Sequence, residues 1–320
     1  MPENAPEIPV IDLGPYLTGE EGALERIAAQ LRKNSETVGF YYISNHGIPQ
    51  ELIDRAFAAA AAFHAQPIEK KLELKVDAGM QGYLPMRGST TRSSDINPNN
   101  KPNENEAFFV KREGQPGVTN RWPEVAGFKD AAVAYYDALE TLAQRLLPLY
   151  ATALELPADY FDARCDRPFS SLRFSHYPPV QAYADNQFGI APHTDSTFIT
   201  LLAQNKVPGL QIRRRDGVWI DAPVIEGTLI VNTGDILHRW TNGRFLSTPH
   251  RAFNISDKAR YAIPYFFHPN PETSLECLPT CRTPGEEPRF ETQTTAEYMA
   301  WFRGRNYDHV RKAQPAAAAE

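Results

Sequence analysis

Hydrophobic positions change their period part-way along the chain. IPVIDL (8–13) has the length and composition of a short strand. Thr18 with Glu21 three residues on has the spacing of a capping box. Leu24, Ile27, Ala28 and Leu31 then fall at i, i+3, i+4 and i+7, which is one face of a helix. Gly39 closes that helix, and FYYIS (40–44) is aromatic and β-branched enough for a strand. A second helix is predicted from about Pro49, with Leu52, Ile53, Ala56, Phe57, Ala60 and Phe63 as its apolar stripe and Pro67 near its end. A long helix follows over about 128–155, with Tyr135, Leu139, Leu142, Leu146 and Leu149 on one side and Pro148 predicted to kink it or end it early.

Between these helices, residues 79–105 are polar and rich in Gly, Pro, Asn and Ser. That is too long for an idle connection, and such segments serve as binding loops or lids. As a lid it would bring Tyr83, Met86, Arg87 and Arg92 to a pocket; Met86, Phe108 and Phe267 suit an apolar substrate, Arg87 or Arg92 a carboxylate.

From about residue 170 the pattern becomes short strands with turn signals. LRFSHY, QFGIAPH, TFITLLA, LQIRR, VWIDA, GTLIVN, STPHRAF and RYAIPYFF each fit it. Asp216-Gly217 is a hairpin signal, with Arg213, Arg214 and Arg215 read as its solvated tip, and Asn242-Gly243 is a further turn. This predicts a mainly β protein, an antiparallel sandwich or barrel wrapped by the N-terminal helices. A last helix is expected near 295–303, through Tyr298, Met299 and Phe302, and a frayed tail over 310–320. With no repeat or linker, the 320 residues read as one domain, with an N-terminal region over 1–115 and a β core over 165–270.

Composition narrows the partners. The 33 basic and 39 acidic residues leave a net charge of −6, which argues against nucleic acid. No apolar run approaches the ~18 residues of a transmembrane helix, and the acidic, proline-rich start lacks a signal-peptide pattern. Cys165, Cys277 and Cys281 make no disulfide framework. They read as structural thiols in a reducing, cytoplasmic compartment. A small molecule is the expected partner.

The chemistry centres on His193-Thr194-Asp195. Residues i and i+2 of a strand share a face, so an imidazole and a carboxylate at this spacing can grip one metal. A third ligand from a distant strand completes the two-histidine, one-carboxylate set of non-haem Fe(II) oxygenases. Spacing leaves His238 and His250 as equal candidates for that third position. Asn45-His46-Gly47 reads as a turn after a strand. No dinucleotide fingerprint, P-loop or nucleophile elbow is present.

Several stretches resemble the Fe(II)/2-oxoglutarate-dependent dioxygenases of the isopenicillin N synthase-like group. IPVIDL (8–13) and GFYYISNHGIP (39–49) resemble that family's N-terminal signature. YPP (177–179), PHTDSTFITLLAQ (192–204), GLQI (209–212), GVWIDAP (217–223), GTLIVNTGDILHRWTNGRFLSTPHRA (227–252) and RYAIPYFF (260–267) resemble its core, in the family's order. The resemblance implies a double-stranded β-helix, or jelly roll. It implies His193, Asp195 and His250 as ligands of Fe(II), with His250 preferred to His238 because TNGRFLSTPHR matches the segment whose last histidine is the ligand. It implies Arg260, with Tyr177, as the grip on the far carboxylate of 2-oxoglutarate. The activity implied is oxidation of a C–H bond of a small organic substrate by O2, as hydroxylation or as desaturation or cyclisation, with release of succinate and CO2. The chain departs from the family at one place. Where Arg-x-Ser is usual it has Arg260-Tyr261-Ala262, leaving Ser175 and Thr228 as candidates to supply the missing hydroxyl. That departure keeps a 2-oxoglutarate-independent iron oxidase open as an alternative, alongside a silent binding protein on the same fold.

Overall fold

Side-chain alternation along the strands separates a helix-facing layer from an interior that carries the polar chemistry. The computed structural model describes residues 8–313 apart from 78, 93, 95, 97–100, 116 and 181. The N-terminal part contains β1 (Val10–Asp12), α1 (Gly14–Leu17), α2 (Ala23–Thr37), β2 (Phe40–Ser44), α3 (Gln50–His64), α4 (Ile68–Leu72), β3 (Gly82–Leu84), β4 (Glu106–Val110), α5 (Phe128–Ala153) and α6 (Asp162–Cys165). The β core contains β5 (Ser171–Tyr177), β6 (Ile190–His193), β7 (Ile199–Gln204), β8 (Leu210–Arg213), β9 (Trp219–Asp221), β10 (Thr228–Thr233), α7 (Asp235–Trp240), β11 (His250–Ala252) and β12 (Arg260–Phe267). It is followed by α8 (Thr295–Asn306) and α9 (Asp308–Ala313).

The larger sheet runs β1-β2-β10-β7-β12-β5-β4-β3 and the smaller runs β6-β11-β8-β9. Every pairing is antiparallel except β1 with β2. This is the expected double-stranded β-helix. In β12, Ile263, Tyr265 and Phe267 point to the helix layer, where they join Leu172 and Phe174 of β5, Ile199 and Leu201 of β7, and the buried faces of α2, α3 and α5. The alternate residues, Arg260, Ala262, Pro264 and Phe266, therefore face the other way. Cross-strand register aligns this second set with Tyr177 and Ser175 of β5 and with Gln204, Leu202 and Thr200 of β7. The apolar layer holds the sheet to the helices at about 1.5–3 kcal/mol per large buried side chain. That leaves the opposite face free to carry polar groups.

Several expectations need correction. Thr18 does not cap α2. It closes α1, its hydroxyl donating to the Gly14 carbonyl at 2.9 Å. Gly19 and Gly22, at φ 77° and 70°, then turn the chain before α2 begins at Ala23. A capping box is formed instead by Thr294 and Glu297, opening α8. Helix α5 continues through Pro148 to Ala153. Leu146, Leu147, Leu149 and Tyr150 are all fully buried there, and their burial outweighs the roughly 3 kcal/mol cost of an internal proline. Residues 310–313, expected to fray, lie in α9, and 314–320 fall outside the described residues. The segment 79–105 contains a strand, β3, whose Tyr83 is completely buried.

Candidate active site

Strands β6 and β11 are neighbours in the smaller sheet, and their register sets His250 opposite His193. Asp195 lies just beyond the end of β6. One ligand atom from each of His193, Asp195 and His250 lies within 4.8 Å of the other two. The Nε2 atoms of His193 and His250 stand 3.7 and 3.6 Å from the same carboxylate oxygen, Asp195 Oδ1.

Hydrogen bonds fix which atoms face inward. His193 Nδ1 lies 2.8 Å from the Ala191 carbonyl, and His250 Nδ1 lies 3.2 Å from the Thr248 carbonyl. A carbonyl can only accept, so each Nδ1 carries a proton, and in the neutral ring the lone pair is then on Nε2. This is the second-partner arrangement that sets the tautomer of a ligating histidine. Asp195 Oδ2 accepts from Thr200 Oγ1 at 2.7 Å and from Asn232 Nδ2 at 2.8 Å, leaving Oδ1 to the histidines. Burial pushes the His193 pKa down to about 3, with His250 adding to the shift. Burial alone would raise the Asp195 pKa, but His250, His193 and the two hydrogen bonds outweigh it and lower it. The set is thus a carboxylate and two imidazoles that turn Nε2 toward it, a donor set that suits a divalent cation.

His238 is elsewhere. It lies on α7, its Nδ1 bonded to the Phe245 carbonyl at 2.6 Å. A second cluster of the same composition, His64, Glu106 and His176, also comes together. It differs in one decisive respect. Lys71 Nζ is 2.8 Å from Glu106 Oε2, and the Tyr83 hydroxyl donates to the same oxygen, so this carboxylate already has its cation.

Arg260 starts β12 and is 1% exposed. Its Nη2 donates to Gln204 Oε1 at 2.9 Å, and its guanidinium lies 4.7 Å from the centre of the Tyr177 ring. Nε and Nη1 are buried with no partner among the described residues. Burial lowers its pKa, with Tyr177 opposing. Gly209, at φ 147°, lets the backbone pass this close. A Cβ there would stand 2.1 Å from the Phe253 carbonyl and 3.1 Å from the arginine. Ala262 pairs directly with Ser175 on β5. The Ser175 hydroxyl is buried and has no partner among the described residues, whereas Thr228 already donates its own to the Ile225 carbonyl at 2.8 Å.

A cavity of about 110 Å³ opens beside His193 and Asp195. Part of its wall is the 79–105 segment, but through Met80, Ser89, Thr90, Thr91 and Asn103. The residues expected there are placed differently. Tyr83 is in the core, Arg87 pairs with Glu104 at the surface, and Met86 is exposed. Arg92 reaches the Arg305 carbonyl, and Phe108 and Phe267 belong to the helix-facing core. Asn103 ties the segment to the site, its Oδ1 accepting from the Ala191 amide at 2.9 Å. Sequence reasoning misses Thr200, Asn232 and the cavity residues Arg173, Lys111 and Arg303. The two-residue period of LRFSHY is the one available signal for Arg173, once Tyr177 is assigned to the inner face.

The profile of the 2OG-Fe(II) oxygenase superfamily matches residues 168–269, and that of the non-haem dioxygenase N-terminal region (of morphine synthesis) matches 8–125. A 2-oxoglutarate-Fe(II) type oxidoreductase of Emericella nidulans, hxnY, is 31% identical over 93% of this chain and 89% of its own length. The chain belongs to the 2OG-Fe(II) oxygenase superfamily. A homoarginine-6-hydroxylase of Glycine max is 30% identical over 88% of the chain and 92% of its own. A full-length Neurospora crassa protein, crystallised in complex with alpha-KG and thymine, superposes with a TM-score of 0.84 at 31% identity, covering 95% of this chain and 97% of that one. As a member of this superfamily the protein is an Fe(II)- and 2-oxoglutarate-dependent oxidoreductase acting on a small substrate. Among the described residues of this oxygenase, no helix is long and apolar enough to cross a membrane.

Proposed function

We propose that His193, Asp195 and His250 hold Fe(II), that Arg260, Tyr177 and Ser175 hold the far carboxylate of 2-oxoglutarate, and that the protein hydroxylates a C–H bond of a small organic substrate in the adjoining cavity. The carrying observation is the convergence of two Nε2 atoms, each on a ring held through Nδ1 by a backbone carbonyl, on one carboxylate oxygen. The bound metal and keto acid supply the activation of O2. One oxygen atom goes to the substrate and one to succinate, with CO2 leaving.

The chain's own groups position and shield. Thr200 and Asn232 hold the Asp195 carboxylate by one oxygen. Arg260 offers two unused donors in a planar fork, which matches a carboxylate. The unpartnered Ser175 hydroxyl, directly across from Ala262, stands where a cross-strand neighbour can stand in for the serine that Ala262 lacks. These orphaned donors favour a dicarboxylate co-substrate over the 2-oxoglutarate-independent alternative, since buried donors without a partner are costly. Three free thiols support a reducing, cytoplasmic setting.

The test is an anaerobic titration of the apoprotein with Fe(II) and then 2-oxoglutarate, following the visible charge-transfer band of a chelated keto acid. A saturable band that is lost in Arg260→Ala is expected. A band equally strong in Arg260→Ala would remove that arginine from the site.

A further inference from the structure

The cavity beside the candidate metal ligands is lined by three cations, Arg173, Lys111 and Arg303. The only carboxylate in its lining, among the described residues, is Asp195. Arg173 is only 7% exposed, and its Nε and Nη2 have no hydrogen-bond partner among the described residues. It leans on the Phe109 ring at 5.3 Å, and Lys111 and Arg303 both stand over the Phe169 ring, 4.7 and 4.9 Å from its centre. Burial pushes the Lys111 amine down to about 8, Arg303 adding to the shift and Asp77 opposing it, so the amine still carries its charge at neutral pH. His268, also on the wall, is held uncharged by burial.

The charges of the loaded centre cannot neutralise this group. Fe(II), the Asp195 carboxylate, the 2-oxoglutarate dianion and Arg260 cancel one another. Apart from Asp77, which acts on Lys111 from outside the lining, the three cations crowded against aromatic rings in a small space then face no spare carboxylate among the described residues of the wall, and buried charges need a counter-charge. The rest of the lining is largely apolar, with Met80, Phe109, Phe266, Met299 and Phe302.

We propose that this cavity takes a small carboxylate with an apolar body as substrate, its anionic group held by Arg173, Lys111 and Arg303. The inference rests on the reading of the neighbouring metal and keto-acid site given above. The planar fork of Arg173 suits a carboxylate, and the aromatic walls suit a ring or short hydrocarbon.

The experiment uses phenylacetate, 3-phenylpropionate, cinnamate and octanoate, each against its primary amide. Binding is read by equilibrium dialysis, and by perturbation of the keto-acid band in the protein loaded with Fe(II) and 2-oxoglutarate without O2. At least one acid is expected to bind and to alter the band, with its amide roughly tenfold or more weaker. Arg173→Gln should weaken that acid by a similar factor and leave the amide unchanged. Lys111→Gln and Arg303→Gln, on the cavity wall, should each weaken the acid too, and they carry the test if Arg173→Gln does not fold. Acids and amides of equal affinity, acid affinity unchanged in all three variants, or no acid binding would each overturn the proposal. Absence of the band itself, with acids still retained in dialysis, would instead overturn the metal and keto-acid reading and leave the anion site standing.

Discussion

Single side chains decide how this site is loaded. His250 and His238 are equivalent by spacing; the family resemblance prefers His250, and the pairing of β11 with β6 sets it opposite His193. His250→Ala is expected to abolish tight Fe(II) binding and nearly all turnover, while His238→Ala keeps both; metal analysis after desalting reads the difference. Ser175 presents a finer case. One hydrogen bond to a charged group is worth about 1.5–3 kcal/mol. Ser175→Ala should therefore raise the 2-oxoglutarate dissociation constant by roughly 10- to 100-fold. Adding Ala262→Ser in the same protein should recover most of that loss, because the hydroxyl returns on the facing strand. Failure of this rescue, with the fold intact, would mean that the Ser175 hydroxyl does not reach the co-substrate.

At the level of elements, one buried carboxylate ties five of them together. Glu106 on β4 is met by Lys71 of α4, Tyr83 of β3, and His64 of α3 and His176 of β5. Its pKa is held far below the ordinary carboxylate range: burial by itself would raise it, but the bonds from His176, His64 and Lys71 prevail. Glu106→Gln leaves the Lys71 ammonium, 9% exposed, without its counter-charge. Breaking a buried pair in this way typically costs about 3–5 kcal/mol, and urea unfolding at pH 7 should show a loss of that order. A Glu106 carboxylate with a depressed pKa stabilises the fold above the usual value of 4.5, and its contribution is lost as the pH falls below that value.

The elements also show where sequence is informative. The paired strands and long helices are legible because their periods are sustained, as in α5 or in FYYIS. The start of α2 is not, because Thr18 and Glu21 satisfy a spacing rule that two left-handed glycines override. His193, Asp195 and His250 are legible through motif and resemblance. Arg173 on β5, Lys111 just past the end of β4 and Arg303 on α8 are not, since a cation in or beside such an element reads as surface until the fold turns it inward. The lid residues fail for a related reason: a loop's composition tells that it binds or covers, but only its anchors, such as Asn103 on Ala191, tell which side chains face in.

For the molecule as a whole, acid should act on the fold and the metal together. Burial holds His268 down to about 3, and His193 likewise in the metal-free protein. Below the ordinary histidine value of 6.5 the unfolded chain takes up protons that the folded chain refuses. Stability is thus full above pH 6.5 and falls as the pH drops from there toward 3, by up to about 1.4 kcal/mol per pH unit for each such histidine. Apoprotein unfolding measured between pH 7 and 5 should show this slope, and His268→Gln should make it shallower. Fe(II) at a hundredfold its dissociation constant should add about 2.7 kcal/mol at pH 7, and a chelator should remove it.

Strand β5 carries Tyr177 and Ser175 toward one end and Arg173 toward the other, all on one face. At about 3.3 Å per residue, Tyr177 and Arg173 are set about 13 Å apart along a rigid backbone. The strand then works as a ruler. The oxidised carbon of a substrate is counted from its own carboxylate, because both anchors are spaced from the same strand. In a series of acids of increasing chain length, the hydroxyl is expected to stay at a constant number of carbons from the carboxylate, and mass-spectrometric mapping of the products would reveal a position that drifts with the far end if the ruler fails.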